Sequence, residues 1–174
     1  MQRNNAAVFL GVQESMDVDI FLLFWKRRRF CMDLFDRMLE LSGQGYYCAQ
    51  ILLILAMELE EKENPDLVRA MGGLNGGLGF RGKLCGALTG GCCMLSYFLG
   101  KGEPEEMEDP GTNEILGEFV QWFDQTIGAQ YAGCNCHDIL EGNPANKMQR
   151  CPEIVEQVFQ KCFELLQEHG IWNG

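Results

Sequence analysis

Thiols are the side chains in this sequence that could do chemistry, because nine of its 174 residues are cysteine. One of them, Cys85, lies in a stretch of unusual composition, Gly72 to Gly100, which reads GGLNGGLGFRGKLCGALTGGCCMLSYFLG. Thiolates are ligands for soft metals and the reactive groups of disulfide chemistry. We predict that this stretch forms one wall of a buried thiol site, with three other isolated cysteines arranged around it.

The first part of this stretch is too rich in glycine to form a regular helix or strand. Six glycines fall within the eleven residues from Gly72 to Gly82, which indicates positive φ angles or close backbone contacts. A nearly all-apolar helix is predicted to follow, because Leu84, Leu88, Leu95 and Leu99 recur at helical spacing. Cys85 would stand at the start of this helix, where free N–H groups and the helix dipole lower the pKa of a thiol.

Small residues follow one flank of the same predicted helix. Gly86 and Gly90 are four residues apart, as are Ala87 and Gly91, so these positions are neighbours on the helix surface. A neighbouring helix backbone is therefore expected to pack closely against this flank.

Elsewhere the apolar residues repeat with the period of a helix. Helices are predicted over residues 32–41, from about Tyr46 to Glu60, briefly after Pro65, from Thr112 as the cap to about Ile127, and from Cys151 to His169. The segment from Gly133 to Leu140 is predicted to be a loop that leads into a short turn. In the last helix, Cys151 takes the cap and Pro152 the first helical position. No stretch alternates as a strand would. The sequence therefore predicts an all-α fold, a single-domain bundle of five to six helices with a glycine-rich loop before the central helix.

The beginning of the chain differs from the rest. Residues 1–31 are predicted to be an N-terminal extension, and the cysteine-containing domain to cover residues 32–170. The apolar run Ile20 to Trp25 is followed by the basic run Lys26 to Arg29. Six apolar residues cannot span a bilayer, so residues 20–29 predict at most a peripheral membrane contact. The alternatives are a helix extension or upstream sequence included through a wrong start codon.

The charge balance argues against a nucleic-acid partner. The formal net charge is −11, and no dense basic cluster lies outside Lys26 to Arg29, whereas nucleic-acid binding needs a basic surface. An odd number of cysteines without a secretory signal is typical of a reducing compartment, where thiols serve as ligands or redox groups. These features predict a cytoplasmic protein.

Four of the cysteines stand in a pattern that resembles a known family. Cys48 follows Gly45-Tyr46-Tyr47, Cys85 opens the block Cys85-Gly86-Ala87-Leu88-Thr89-Gly90, Cys136 opens Cys136-His137-Asp138-Ile139-Leu140, and Cys151 precedes Pro152. In order and spacing they resemble the C-GCAxxG-C-C family of redox-active proteins, over roughly Met32 to His169. The resemblance implies an electron-transfer or thiol-redox role. The family's domain also occurs joined to multihaem-type redox proteins in anaerobes.

The sequence departs from the family pattern by additional cysteines in the same region, namely Cys92, Cys93, Cys134 and Cys162. The third cysteine of the pattern therefore stays open between Cys134 and Cys136. Packing as small buried side chains is predicted for Cys31, Cys92 and Cys162, and is favoured over a supporting role for Cys93.

Four thiolates from separate helices suit an iron–sulfur cluster, [2Fe–2S] or [4Fe–4S], held by Cys48, Cys85, Cys136 and Cys151. Backbone N–H groups protect cluster sulfur, and the glycine-rich backbone at Gly77, Gly79, Gly82 and Gly86 is predicted to line the cofactor. Zinc is the alternative metal, although the chain lacks the Cys-x-x-Cys pairs of zinc ribbons. The predicted function is electron transfer with a redox partner protein, rather than the chemistry of a classical enzyme.

Two other functions remain open. A thiol–disulfide oxidoreductase or redox sensor would close a disulfide between two of these cysteines, and Cys134 and Cys136 are the easiest pair by proximity. A non-catalytic helical interaction module would carry the cysteines only for packing.

The glycine pattern from Gly77 to Gly82 matches a dinucleotide motif, yet a helix precedes it where that motif needs a strand. His137 is either a metal ligand, a proton donor or a hydrogen-bonded turn residue. The oligomeric state is left open.

Overall fold

The computed structural model describes residues 34–172, so the predicted N-terminal extension and its apolar and basic runs lie outside the described residues. This part of the chain is built from helices and contains no strand, apart from one isolated antiparallel bridge between Leu84 and Asn135. The helices are α1 (residues 34–43), α2 (Cys48–Leu59), α3 (Pro65–Met71), α4 (Gly86–Leu99), α5 (Thr112–Phe123), α6 (Ala129–Tyr131), α7 (Cys136–Leu140) and α8 (Lys147–Glu168).

The all-α prediction is confirmed, with a helix count slightly above the five to six expected. A π-helical turn, Asp124–Gly128, makes α5 and α6 continuous, and with these two counted as one the described chain has seven helices. The additional helix is α7, where the sequence indicated only a short turn. None of the helices between residues 34 and 172 is both long and apolar enough to cross a bilayer.

Helix α4 is at the centre of the bundle, because α2, α5 and α8 all pack against it. Met94 and Leu95 of α4 are fully buried. They share one hydrophobic cluster with Phe119 of α5 and Phe159 of α8. The expectation that the glycine loop leads into a core helix is therefore correct.

Glycines on α4 let two sets of neighbours approach it closely. A Cβ atom at Gly90 would lie 2.7 Å from Ala49 Cα on α2. A Cβ atom at Gly91 would overlap the Phe119 ring and lie 2.9 Å from Val158 Cγ1 on α8. Each glycine weakens the helix by about 1 kcal/mol relative to alanine, and close packing on both flanks offsets this cost. The predicted close approach of a neighbouring helix is thus present.

The last helix begins one turn earlier than predicted. Helix α8 starts at Lys147, so Cys151 lies in its second turn and Pro152 is inside the helix. The prediction that Cys151 caps this helix was wrong. A proline-first start does occur, but at Pro144, in a 3₁₀ turn (Pro144–Asn146) that leads directly into α8.

The extra turn of α8 is held by Arg150. Its guanidinium donates a hydrogen bond of 2.5 Å to the Ile139 carbonyl and pairs with Glu141 at 3.0 Å. It also lies over the Tyr131 ring, 5.1 Å from the centroid. These three contacts tie the first turn of α8 to α6 and α7, and no periodicity within the last helix could indicate them.

Thr112 was predicted to be the N-cap of α5, but the structure shows otherwise. Gly111 is the N-cap, and Thr112 is the first helical residue. The buried Thr112 hydroxyl lies within hydrogen-bond distance of the carbonyl oxygens of Asp109, at 2.7 Å, and Leu99, at 3.2 Å. It therefore joins the start of α5 to the end of α4 rather than satisfying an amide of its own helix.

The close packing of α2 on α4 can be tested with Gly90→Ala. This variant should lose about 1–3 kcal/mol of unfolding free energy, because the new Cβ forces the two helix backbones apart. The matched control is Gly117→Ala in α5, where a Cβ meets nothing within 4 Å. The control should gain about 1 kcal/mol, because alanine is the better helix former. Urea unfolding followed by circular dichroism measures both, and equal changes in the two variants would contradict the packing.

Candidate functional site

A pocket of about 420 Å³ lies among α1, the start of α2, the glycine loop, α7 and the first turns of α8. Three of the four cysteines singled out from the sequence line it, namely Cys48, Cys136 and Cys151. The fourth, Cys85, is buried, and negative charge on Cys48 or Cys136 raises its pKa. Three of the four thiols therefore line one pocket, and Cys85 lies close enough to Cys48 and Cys136 for their charge to affect it.

Cys48 is the first residue of α2, and its sulfur lies directly against α4. A Cβ atom at Gly86 would be 2.5 Å from Cys48 Sγ, so this contact requires glycine. Burial raises the pKa of Cys48 above its ordinary value, while hydrogen bonds from the backbone N–H groups of Gly76 and Ala49 partly oppose the rise. The sulfur thus sits among backbone donors inside a desolvated site.

Cys85 is the N-cap of α4, as the sequence indicated. Burial raises the pKa of its thiol to about 12, although the N–H groups of Ala87 and Leu88 act in the opposite direction. The expectation of a lowered pKa at this helix start was wrong. Desolvation of the buried thiolate raises the pKa by more than the helix terminus lowers it.

Cys136 is positioned by backbone hydrogen bonds between the end of the glycine loop and the chain at the start of α7. The Cys136 N–H donates to the Lys83 carbonyl at 2.7 Å, and the Cys85 N–H donates to the Cys134 carbonyl at 2.9 Å. The His137 N–H also donates to the Gly82 carbonyl at 3.0 Å. Cys85 and Cys136 are 51 positions apart in the sequence, and these backbone bonds fix their relative positions.

Glycine is needed at several positions of the loop because the two hydrogen-bonded segments lie so close together. A Cβ atom at Gly77 would overlap the Lys83 backbone and lie 2.9 Å from Cys136 Cβ, and one at Gly82 would lie 3.2 Å from His137 Cβ. Both glycines have positive φ, of 74° and 70°. Gly79 has positive φ too, but a Cβ there would meet nothing within 4 Å. Gly77, Gly82 and Gly86 therefore contact residues of the site, whereas a lining role for Gly79 stays a prediction.

A buried asparagine attaches the glycine loop to α2, and sequence reasoning missed it. Asn75 is only 2% exposed. Its Oδ1 accepts from the Ala49 N–H at 3.3 Å, and its Nδ2 donates to Gln50 Oε1 at 2.8 Å. The loop thereby supplies a hydrogen-bond partner to the first turn of α2, next to Cys48. A polar residue within an otherwise glycine and leucine segment was the available signal.

Cys151 and Lys147 lie one turn apart on α8, and both line the pocket. Burial, followed by charge on Cys48 and Cys136, raises the pKa of Cys151 to about 11. The Lys147 ammonium acts in the opposite direction on Cys48, Cys136 and Cys151. Lys147 Nζ lies 4.1 Å from the centroid of the Tyr47 ring. It is a cation of the site that the sequence did not reveal, because Tyr47, against which it packs, is distant in the chain.

Cys134, the alternative third cysteine, is directed elsewhere. Its thiol donates a hydrogen bond of 3.0 Å to Asp124 Oδ1 in the π-helical turn. A Cβ atom at Gly128 would lie 2.7 Å from Cys134 Sγ. Burial, followed by the bond to Asp124, raises the pKa of Cys134 to about 12. Of the two candidates for the third position, the structure places Cys136 on the pocket and Cys134 on the π-helical turn.

The remaining described cysteines pack in the core. Cys162 is fully buried and its thiol contacts the Gly91 carbonyl at 3.7 Å. Cys92 packs against the same hydrophobic cluster, and Cys93 packs against a smaller one around Leu53. Packing was the prediction for all three. Cys31 lies outside the described residues.

The spacing of the donors bears on which metal the site could hold. Among residues 34–172, no three His, Cys, Asp or Glu side chains are grouped closely enough to hold one metal ion. His137 lines the pocket, with its ring against Gly142. The arrangement therefore offers three soft sulfur donors around a cavity and a fourth, Cys85, buried near them, not a compact tetrahedral set.

Raised thiol pKa values make the stability of the metal-free protein depend on pH. The folded-state pKa of Cys85 is about 12, against an ordinary value of 9.0, so the unfolded chain loses its proton first and stability falls as pH rises from about 9 to 12. Between pH 8 and pH 10, the reduced, chelator-treated protein should lose about 1 kcal/mol more than Cys85→Ala. Urea unfolding at several pH values measures this difference. The same pH dependence in both proteins would contradict the buried, protonated thiol.

Comparisons with known proteins add one finding. A search of curated proteins found no match, and a search of solved structures found none either. A family model described as "Putative redox-active protein (C_GCAxxG_C_C)" matches residues 46–165, which is more than half of the chain and includes all four cysteines singled out from the sequence. The chain belongs to the C_GCAxxG_C_C family.

Proposed function

We propose that this protein is a redox-active electron carrier whose iron–sulfur cluster is held by Cys48, Cys85, Cys136 and Cys151. The observation that carries the proposal is the convergence of Cys48, Cys136 and Cys151 on one pocket from α2, α7 and α8, with Cys85 buried at the start of α4 near two of them. When bound, such a cluster supplies one-electron transfer, and a redox partner protein would be the source or destination of the electron.

The raised pKa values of these thiols favour the binding of a positively charged group among them. Burial opposes deprotonation of Cys48, Cys85, Cys136 and Cys151, and charge on a neighbouring thiol also opposes it at the last three. Metal binding needs the thiolate form, and a bound metal centre supplies the positive charge that stabilises it. In addition, N–H groups of Gly76, Ala49, Ala87 and Leu88 donate to Cys48 and Cys85. Such N–H donors tune iron–sulfur sites.

Donor spacing favours a cluster over zinc within this proposal. A zinc site needs four ligands within bonding distance of one ion, and the described side chains contain no such compact group. A cluster contains several iron atoms, so its four cysteines do not all bind the same ion. Thiols spread around a cavity suit that arrangement better.

A thiol–disulfide function is the second candidate, because Cys48, Cys136 and Cys151 line an accessible pocket. In that reaction one cysteine thiolate attacks the disulfide of a partner, and a second thiolate resolves the mixed disulfide. Two cysteines then share a new S–S bond, and the partner's disulfide leaves as two thiols with both electrons and both protons. The raised pKa values disfavour the attacking thiolate, so we place this candidate second.

Anaerobic purification with assays of iron and acid-labile sulfide separates the two candidates. Wild-type protein should be coloured and contain stoichiometric iron and sulfide, and Cys85→Ser should lose most of both, because one of four ligands is gone. The matched control is Cys93→Ser, which removes a half-buried α4 thiol that packs away from the pocket. The control should keep its iron. Colourless wild-type protein after iron and sulfide reconstitution would contradict the cluster and leave the disulfide candidate.

The third ligand is tested by comparing two cysteines that are neighbours in sequence. Cys136→Ser should lose most of the iron, because Cys136 lines the pocket. Cys134→Ser should keep it, because a serine hydroxyl can still donate to Asp124 and the thiol is not on the pocket. Iron content and the visible spectrum of the two variants, purified in parallel, give the answer. Loss of iron in Cys134→Ser with retention in Cys136→Ser would reverse the assignment.

A further inference from the structure

The pocket has more exposed apolar surface than a site made only of thiols requires. Six large apolar side chains are exposed in the described part of the chain: Leu39, Leu78, Phe80, Leu84, Met107 and Met148. Three of them, Leu39, Phe80 and Met148, line the pocket. Leu78 and Leu84 lie in the same stretch of chain as Phe80 but do not line the pocket. Exposed apolar residues grouped in this way mark a binding site.

The charge around the pocket is opposite to that of the whole chain. The sequence has 25 acidic and 14 basic residues, yet no described residue that lines the pocket is Asp or Glu, and Lys147 is among them. Arg81 and Lys83, on either side of the lining residue Gly82, are exposed. Local positive charge in an acidic protein favours an anionic ligand at this place.

The walls of the pocket include a pair of aromatic rings next to the lysine. Tyr47 and Phe80 pack edge to face, with ring centroids 4.9 Å apart. Lys147 lies against the Tyr47 ring, and Phe80 is 60% exposed. A flat aromatic ligand would find both an aromatic surface and a cation here.

We propose that this pocket binds a planar aromatic small molecule that carries an anionic group. Its volume of about 420 Å³ falls in the range of small-molecule sites, which are concave, mostly apolar and contain a few polar groups. The proposal rests on the proposed function only in that it names the ligand class of the same site. Binding involves no electron transfer, so it can be measured apart from the redox group.

The probe is naphthalene-2-sulfonate, which is planar and anionic and does not react with thiols. Isothermal titration of the full chain, purified anaerobically, should give saturable binding. Lys147→Gln should weaken it about fivefold and leave binding of neutral 2-(hydroxymethyl)naphthalene unchanged, because only the charged contact is lost. Phe80→Ala should weaken both ligands. Met107→Ala, which changes an exposed apolar residue that does not line the pocket, should alter neither.

Two results would overturn the inference. One is the absence of saturable binding to the full chain, which would leave the apolar pocket to a protein segment instead. The other is binding that Lys147→Gln and Phe80→Ala both leave unchanged. Iron and sulfide contents of the same samples separate this proposal from the redox one. Protein with iron but no binding contradicts only the ligand class, and binding by protein without iron contradicts only the cluster.

Discussion

Helices α2 and α4 approach each other so closely that the sulfur of Cys48 lies where a side chain on Gly86 would begin. One turn further along α4, Gly90 lets the Cα of Ala49 come equally near. The two glycines thus set the distance between the helices that carry Cys48 and Cys85. A side chain at either position would separate the backbones and move the two thiols apart. The other two thiols depend on this contact as well, because α8 packs against α4 and the chain around the start of α7 is hydrogen-bonded to the segment that leads into α4.

The glycine loop completes the site by fastening distant parts of the chain to this pair. Asn75 ties the loop to the first turn of α2, where it satisfies a backbone N–H beside Cys48. Further along, the loop pairs with the segment before α7 through Lys83, Cys85 and Cys136. Backbone hydrogen bonds of this kind need the two chains to be in contact, which Gly77 and Gly82 permit. The density of glycine therefore reflects close backbone packing around thiols.

Much of this arrangement could be predicted from local patterns, and the errors have physical causes. The amphipathic helices and the small-residue flank of α4 follow from periodicity, which a sequence displays directly, and the family was identified by the resemblance of the four cysteine motifs to it. The start of α8 was misplaced because Pro152 resembles a first-turn proline, whereas the contacts of Arg150 with Ile139 and Glu141 stabilise an additional turn. The pKa of Cys85 was expected to be low because the helix end is visible in sequence, while burial is not. Lys147 and Asn75 were missed because their roles come from residues distant in the chain.

Native mass spectrometry of anaerobically purified protein shows whether the four thiols hold an iron–sulfur cluster. We expect a mass above that of the polypeptide by one [2Fe–2S] or [4Fe–4S] core, lost on acidification and absent from Cys85→Ser. A mass equal to that of the polypeptide would rule out the cluster, and a mass lower by two hydrogen atoms would in addition identify an intramolecular disulfide.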